Sequence, residues 1–122
     1  MSVDCRRLKT GMAALAVVAG AAAALACGSP TSGKPVTELW REQCTQCHGD
    51  DGRGHPAWKS LDPKVDLAVS ELIRGGARGL VFQRIAYGYG TMPGFAHKLE
   101  RGDLEMLTAF VFDLKQQGSD RR

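Results

Sequence analysis

The stretch QCTQCHGDDGRGHP, residues 43–56, holds an unusual combination of side chains. Cys44 and Cys47 are separated by two residues, and His48 follows the second cysteine directly. The run behind them is polar and contains several glycines, which is typical of a loop. Two thiols and an imidazole at this spacing indicate a site for a metal or a prosthetic group.

The rest of the chain limits how many such sites to expect. Its 122 residues are 43% hydrophobic and 24% charged, a balance that predicts one small globular domain. Residues 1–26 differ in character, because Arg6, Arg7 and Lys9 precede an uncharged apolar stretch at residues 11–26. That stretch is shorter than the roughly 20 residues that span a bilayer. We therefore predict a secretory signal peptide over residues 1–26 rather than a permanent membrane helix.

Cys27 stands at the border of this segment. Ala24, Leu25 and Ala26 before it resemble the lipobox of bacterial lipoproteins, in which the cysteine becomes the lipidated N-terminus. The alternative is ordinary cleavage after residue 26, which leaves Cys27 as a plain thiol. Residues 27–35 are rich in Gly, Ser and Pro and predict a flexible tether. We predict an exported, periplasmic protein that is attached to the membrane through Cys27.

The charge of the chain gives no sign of a nucleic-acid partner. The whole sequence carries 16 Lys and Arg against 13 Asp and Glu, a net charge of +3. Residues 1–26 contain three basic residues and Asp4, so the remaining part has a net charge of +1. Its basic residues are scattered and form no run that would follow a phosphate backbone.

Three kinds of site use closely spaced cysteines. A structural zinc site needs four ligands, and a second cysteine pair near Cys44 and Cys47 is missing. A thioredoxin-like redox pair follows a β-strand, whereas the preceding PVTELWREQC has a helical pattern. The remaining interpretation is C-x-x-C-H as a c-type haem attachment motif. On a helix the two cysteines and His48 are i, i+3 and i+4, so all three project from one face.

At this point the sequence resembles the class I cytochromes c, specifically small bacterial monohaem members that are exported or lipid-anchored. The similarity covers nearly all of residues 35–117. It is carried by ELWREQCTQCHGDDGRG and GLVFQRIAYGYGTMPGF, with DLAVSELIRGG and LERGDLEMLTAFVFDL compatible. The resemblance implies an all-α cytochrome c fold, with about four short helices around one covalently attached haem.

The resemblance also implies a set of site residues. Haem c would be bonded through Cys44 and Cys47, with His48 and Met92 as the two axial ligands of the iron. Independently of the family, Met92 lies among glycines and before Pro93, so it belongs to a loop and not to a helix face. We expect both His55 and His97 to face solvent, with His97 as the alternative ligand.

Two further packing features follow from the resemblance. Trp40, four residues before the first cysteine, is expected to pack on Phe110 of the last helix. A carbonyl next to a loop proline is expected to accept the N–H of the histidine ligand, with Pro56 favoured over Pro63. Lys59, like Arg53 and Lys98, is left open between a propionate partner, a docking charge and a solvated surface residue.

Four helices are predicted from apolar spacing and stop signals, at residues 35–47, 66–74, 79–86 and 101–117. The last carries Leu104, Leu107, Val111 and Leu114 on one face. Residues 49–63 are predicted as a loop beside the haem. The cytochrome c domain is predicted over residues 36–118, followed by a tail at 119–122.

These features predict an electron carrier and not an enzyme, because the sequence shows no additional catalytic constellation. Its partners would be a donor and an acceptor redox protein, met as a monomer through small transient interfaces. One alternative is a haem-bearing subunit of a larger oxidoreductase or terminal oxidase. Another is a sensor or peroxidase-like enzyme with an open iron position.

Overall fold

The computed structural model describes residues 28–119, with side chains described as far as residue 114. The predicted signal peptide at 1–26, the lipidation site Cys27 and most of the predicted tail at 119–122 lie outside the described residues. These predictions therefore stay predictions.

The fold is helical. Six α-helices follow one another in residues 28–119, and we number them α1 (Val36–Gln43), α2 (Thr45–His48), α3 (Pro56–Lys59), α4 (Glu71–Arg74), α5 (Arg78–Tyr87) and α6 (Arg101–Ser119). Two short 3-10 turns, Pro63–Val65 and Leu67–Val69, lie between α3 and α4. Residues 28–119 contain no β-strand, apart from an isolated bridge between Tyr89 and Met92. The all-α prediction is confirmed.

The first predicted helix, residues 35–47, is in fact two helices. The backbone departs from helical geometry at Cys44, with φ −120° and ψ −35°. The Cys44 N–H still bonds to the Trp40 carbonyl, while the Cys44 carbonyl accepts from the N–H of His48 at 2.9 Å. One residue therefore ends α1 and starts α2, so the motif does not continue α1 as one regular helix.

Two other predicted segments also differ from the structure. The predicted helix at 66–74 divides into a 3-10 turn and α4, because Ser70 is extended with ψ 117°. The Asp66 carboxylate caps the 3-10 turn by accepting from the Ala68 N–H at 2.9 Å. The predicted loop at 49–63 contains α3, which begins at Pro56 in the first turn, where a proline N–H is not needed.

The apolar core lies where α1, α5 and α6 meet. It contains Leu39 and Trp40 from α1 and Val81 and Ile85 from α5, together with the α6 face formed by Leu104, Leu107 and Val111. Leu114 continues that face half-buried, as its spacing predicts. Trp40 packs on Phe110 with ring centroids 5.5 Å apart, which confirms the expected contact between the first and last helices.

The N-terminal segment is docked onto the start of α6. The Pro30 carbonyl accepts from the Gly102 N–H at 2.8 Å. The Asp103 carboxylate accepts from both the N–H and the Oγ–H of Ser32, each at 3.0 Å, and from the Glu100 N–H at 3.3 Å. Pro30 and Ser32, which belong to the predicted flexible tether over 27–35, therefore have hydrogen-bond partners at the start of α6. The sequence did not predict this contact, because a segment rich in Gly, Ser and Pro carries no pattern that indicates a partner 71 positions away.

Asp103→Ala is expected to lower the free energy of unfolding by about 2 kcal/mol, because it removes the buried carboxylate that accepts hydrogen bonds from Ser32 and Glu100. The Asp103 side chain has no exposed surface, so water cannot replace it without a rearrangement. Asp113→Ala is the matched control, since Asp113 is exposed on the same helix and its loss should cost under about 0.5 kcal/mol. Urea unfolding followed by circular dichroism measures both, and equal losses would refute the role given to Asp103.

Candidate haem site

The three motif side chains lie around the short helix α2. Cys44 and Cys47 are both half-buried free thiols, and the His48 ring is half-buried beside them. The chain folds back on this helix, since the His48 carbonyl accepts from the Gly54 N–H at 2.7 Å and the Cys47 carbonyl from the His55 N–H at 2.8 Å. These two hydrogen bonds therefore fix the backbone of the motif to the loop that follows it.

The protonation of His48 follows from its partner. Its Nδ1 lies 2.7 Å from the Val65 carbonyl oxygen. A carbonyl can only accept, so Nδ1 carries the proton and Nε2 keeps a free lone pair. Burial lowers the pKa of His48, and the bond to Val65 opposes this only in part. His48 is therefore a neutral imidazole whose Nε2 is available as a ligand.

The acceptor for His48 differs from the one that we expected. The carbonyl belongs to Val65, so the favoured assignment to a neighbour of Pro56 is wrong. Pro63 begins the 3-10 turn that ends at Val65, but the acceptor is two residues beyond it. A backbone carbonyl has no side-chain signature, which is why the sequence could not identify this residue.

Val65 packs closely against the loop that follows the motif. A Cβ placed on Gly54, which has φ +88°, would stand 2.9 Å from the Val65 Cγ2. Only glycine lets the loop behind the motif approach the 3-10 turn this closely. The position of Val65 therefore depends on the same loop that holds the backbone of His48.

The environment of Cys44 is apolar. Burial raises the pKa of the Cys44 thiol to about 12, and the positive charge of Lys98 only partly opposes this effect. In the free chain this thiol is protonated at neutral pH. Trp40 lies on the same side, with its ring centroid 6.1 Å from that of His48 and its Nε1–H donating to the Asp50 carbonyl at 3.2 Å.

Met92 lies in a loop that folds back on α5. It exchanges backbone hydrogen bonds with Tyr89, at 3.0 and 3.1 Å. Just beyond it, the Phe95 N–H donates to the Ile85 carbonyl at 3.0 Å, and the next N–H bonds to α5 in the same way. Met92 is half-buried and packs against the apolar core that Cys44 also borders.

The competing histidines are placed differently. His55 and His97 are both exposed. The His55 Nδ1 accepts from the Ala57 N–H at 3.4 Å, so this ring caps α3. Within residues 28–119, no three side chains of His, Cys, Asp or Glu converge as ligands for a metal ion.

The donor set fits a haem bonded through sulfur better than a chelated ion. Two thiols at C-x-x-C spacing stand beside a neutral imidazole with one free nitrogen. Large apolar side chains are also left uncovered on the segments that follow His48 and precede Met92. They are Trp58, Leu61, Val69, Leu80, Tyr87 and Tyr89, and Leu61 and Tyr87 are at least three-quarters exposed. A flat apolar group would cover surface of this kind.

The helical fold and the motif define a class I monohaem c-type cytochrome. Residues 32–111 match the family described as "Cytochrome C oxidase, cbb3-type, subunit III", and the chain belongs to this family. Membership of a c-type cytochrome family means that the chain carries covalently bound haem c and transfers electrons.

Two known proteins illustrate the similarity. The chain is 28% identical over 88 residues to "Cbb3-type cytochrome c oxidase subunit FixP" from Azorhizobium caulinodans. That match covers 71% of this chain but only 29% of the FixP sequence. In fold, the chain is similar to the solved structure titled "KustC0563 c-type cytochrome", with a TM-score of 0.59 and 23% identity. This second match covers 67% of this chain and 99% of the other.

The described part of the chain, residues 28–119, includes no helix with the length and apolar character needed to cross a membrane.

Proposed function

We propose that this protein is a periplasmic one-electron carrier whose haem c is bonded through Cys44 and Cys47, with His48 and Met92 as axial ligands. The observation that carries the proposal is the hydrogen bond from His48 Nδ1 to the Val65 carbonyl, which leaves Nε2 free to bind iron. The bound haem supplies a metal that cycles between Fe(II) and Fe(III). With both axial positions filled, no position remains for a substrate.

The side chains have distinct roles in this proposal. His48 supplies a neutral nitrogen donor that its partner Val65 orients. Met92 supplies a soft thioether, a ligand that raises the reduction potential relative to a second histidine. The backbone hydrogen bonds of the loop around Met92 would hold this ligand in place. The apolar surroundings of Cys44 and Trp40 would exclude water from a haem bonded at Cys44.

The ligand assignment is tested by Met92→Ala in protein matured with haem. The wild-type protein should show a low-spin spectrum with a methionine–iron charge-transfer band near the red edge of the visible range. Met92→Ala should abolish the band and let the reduced protein bind carbon monoxide rapidly. Absorption and magnetic circular dichroism measure both effects.

Met106→Ala is the matched control for this test, because Met106 is a half-buried methionine of α6. Its charge-transfer band should be unchanged. A band that survives in Met92→Ala would place the ligand elsewhere and open His97 as the candidate. Carbon monoxide binding by the wild-type protein would instead support an open iron position and refute six-coordination.

A second function is favoured by the comparisons. The family is described as an oxidase subunit, and the FixP relative is more than three times as long as the matched part. The domain would then be a haem-bearing subunit that passes electrons within a larger complex. Purification from the native membrane discriminates the two functions. Co-purification of a stoichiometric oxidase subunit with the cytochrome would support the oxidase-subunit function. Isolation as a monomer with exchangeable redox partners would support the electron-carrier function.

The proposed location rests on the sequence of the N-terminal segment. We propose export, removal of residues 1–26 and attachment to the membrane through a lipid on Cys27. The mass of the mature N-terminal peptide tests this directly, since lipidation adds acyl chains and simple cleavage does not. Nucleic acid is not expected among its partners, because the net charge of the mature part is near zero.

A further inference from the structure

We propose that the ion pair of Lys59 and Asp66 positions the Val65 carbonyl against His48 and thereby sets how strongly the imidazole donates electrons to the iron. This inference rests on the proposed role of His48 as an axial ligand. Lys59 and Asp66 would be positioning residues, since they would act on His48 through the Val65 carbonyl.

The pair is short and one partner is buried. The Lys59 Nζ lies 2.6 Å from Asp66 Oδ2, and the Asp66 side chain is only 10% exposed. The other carboxylate oxygen accepts from the Ala68 N–H at 2.9 Å. A buried carboxylate is costly without a cation, so the pair constrains both elements that carry it.

Lys59 also reaches the other side of the site. Its ammonium donates to the Arg53 carbonyl at 3.0 Å. The next residue, Gly54, donates its N–H to the carbonyl of His48 at 2.7 Å. The Lys59 ammonium group therefore links two segments. One is the loop that holds the His48 backbone, and the other contains Asp66, which directly follows the acceptor Val65.

These contacts form a closed ring around the ligand. From His48 the ring passes through Gly54 and Arg53 to Lys59, then through Asp66 to the adjacent Val65 carbonyl, and back to the His48 Nδ1–H. Hydrogen bonds that are linked in a network polarise and strengthen one another. Loss of the ion pair should therefore loosen the bond between Val65 and His48.

The chemical consequence has a definite sign. A hydrogen bond from Nδ1–H to a carbonyl makes the imidazole a stronger donor at Nε2. A stronger donor stabilises Fe(III) more than Fe(II), so it lowers the reduction potential. Weakening the bond should therefore raise the potential.

The test is the double variant Lys59→Met with Asp66→Asn, which removes the ion pair and leaves the net charge unchanged. At a fixed solution potential, its Fe(II)/Fe(III) ratio should rise about tenfold, which is 59 mV for a one-electron couple. In the Fe(II) protein, exchange of the His48 Nδ1 proton should become about tenfold faster by NMR. The single variant Lys59→Arg keeps the charge and a donor, so both values should stay close to those of the wild-type protein.

The matched control removes an ion pair that is not part of the ring. The Lys34 Nζ lies 2.8 Å from Glu42 Oε2, and both side chains are at least one-third exposed. Lys34→Met with Glu42→Gln should leave the potential and the exchange rate unchanged. The single variant Asp66→Asn, which keeps an acceptor for the Ala68 N–H, provides a second test and should also accelerate exchange of the His48 proton.

The outcomes separate the two proposals. An unchanged potential and exchange rate in the double variant, with the methionine–iron band present, would overturn the role of the ion pair. Absence of that band in the wild-type protein would overturn the ligand set itself. Equal shifts in the control variant would show that any lost ion pair has this effect and would also overturn the inference.

Discussion

Gly94→Ala is expected to abolish the methionine–iron band and to lower the free energy of unfolding by about 3 kcal/mol, because the loop around Met92 is tightly packed against α5. A Cβ on Gly94 would stand 2.5 Å from the Tyr87 carbonyl carbon and 2.8 Å from the Ala86 carbonyl oxygen. Both atoms belong to the backbone at the end of α5, so no side-chain rotation relieves the overlap. The loop must move away from α5 and carry Met92 with it.

Gly79→Ala is the matched control for this substitution. Gly79 lies in α5, and a Cβ there would meet no atom within 4 Å. Alanine is favoured over glycine inside a helix by up to about 1 kcal/mol, so this variant should be unchanged or more stable. Thermal unfolding and the visible spectrum measure both variants. A Gly94→Ala protein with a normal band and normal stability would show that the loop is not fixed in this way.

Trp40→Ala should lower the free energy of unfolding by about 4 kcal/mol, a large fraction of the stability of a small domain. The indole is only 4% exposed and contacts the rings of both Phe110 and His48. Its removal leaves a cavity between α1 and α6 and leaves the Asp50 carbonyl without its indole donor. Because Trp40 lies beside His48, the proposed ligand, we also expect the variant to lose its native absorption spectrum at a lower temperature than the wild-type protein.

Two other variants isolate the causes of this loss. Trp40→Phe keeps an aromatic ring against Phe110 but loses the indole N–H, so it should cost about 1 kcal/mol. Trp58→Ala removes the same side chain from an exposed position on α3, where 40% of the residue is accessible. Its cost should fall well below that of Trp40→Ala. Equal losses at the two tryptophans in denaturant unfolding would contradict the packing argument.

The motif and the long helices could be predicted from the sequence because their signals are local. The spacing of Cys44, Cys47 and His48 indicates their chemistry without knowledge of the fold. The apolar face of α6 follows from helical periodicity, and the glycines around Met92 indicate a loop. In each case residues close in sequence carry the whole signal.

What could not be predicted depends on contacts between distant segments or on the backbone alone. The break at Cys44 depends on how the motif turns out of α1, which helix periodicity does not encode. The partner of His48 is the backbone of Val65, to which any residue type could contribute a carbonyl. The docking of Ser32 on Asp103 joins segments that carry no matching pattern in the sequence.

The contact between Ser32 and Asp103 also affects the order of folding. Its two ends are 71 positions apart, so it brings the beginning of the domain together with its last helix. Synthesis of the chain completes the C-x-x-C-H segment long before α6 exists. Contacts of such high contact order form slowly compared with individual helices, because the intervening chain must lose entropy first. The domain therefore stays open on this side until its final helix is available to close it.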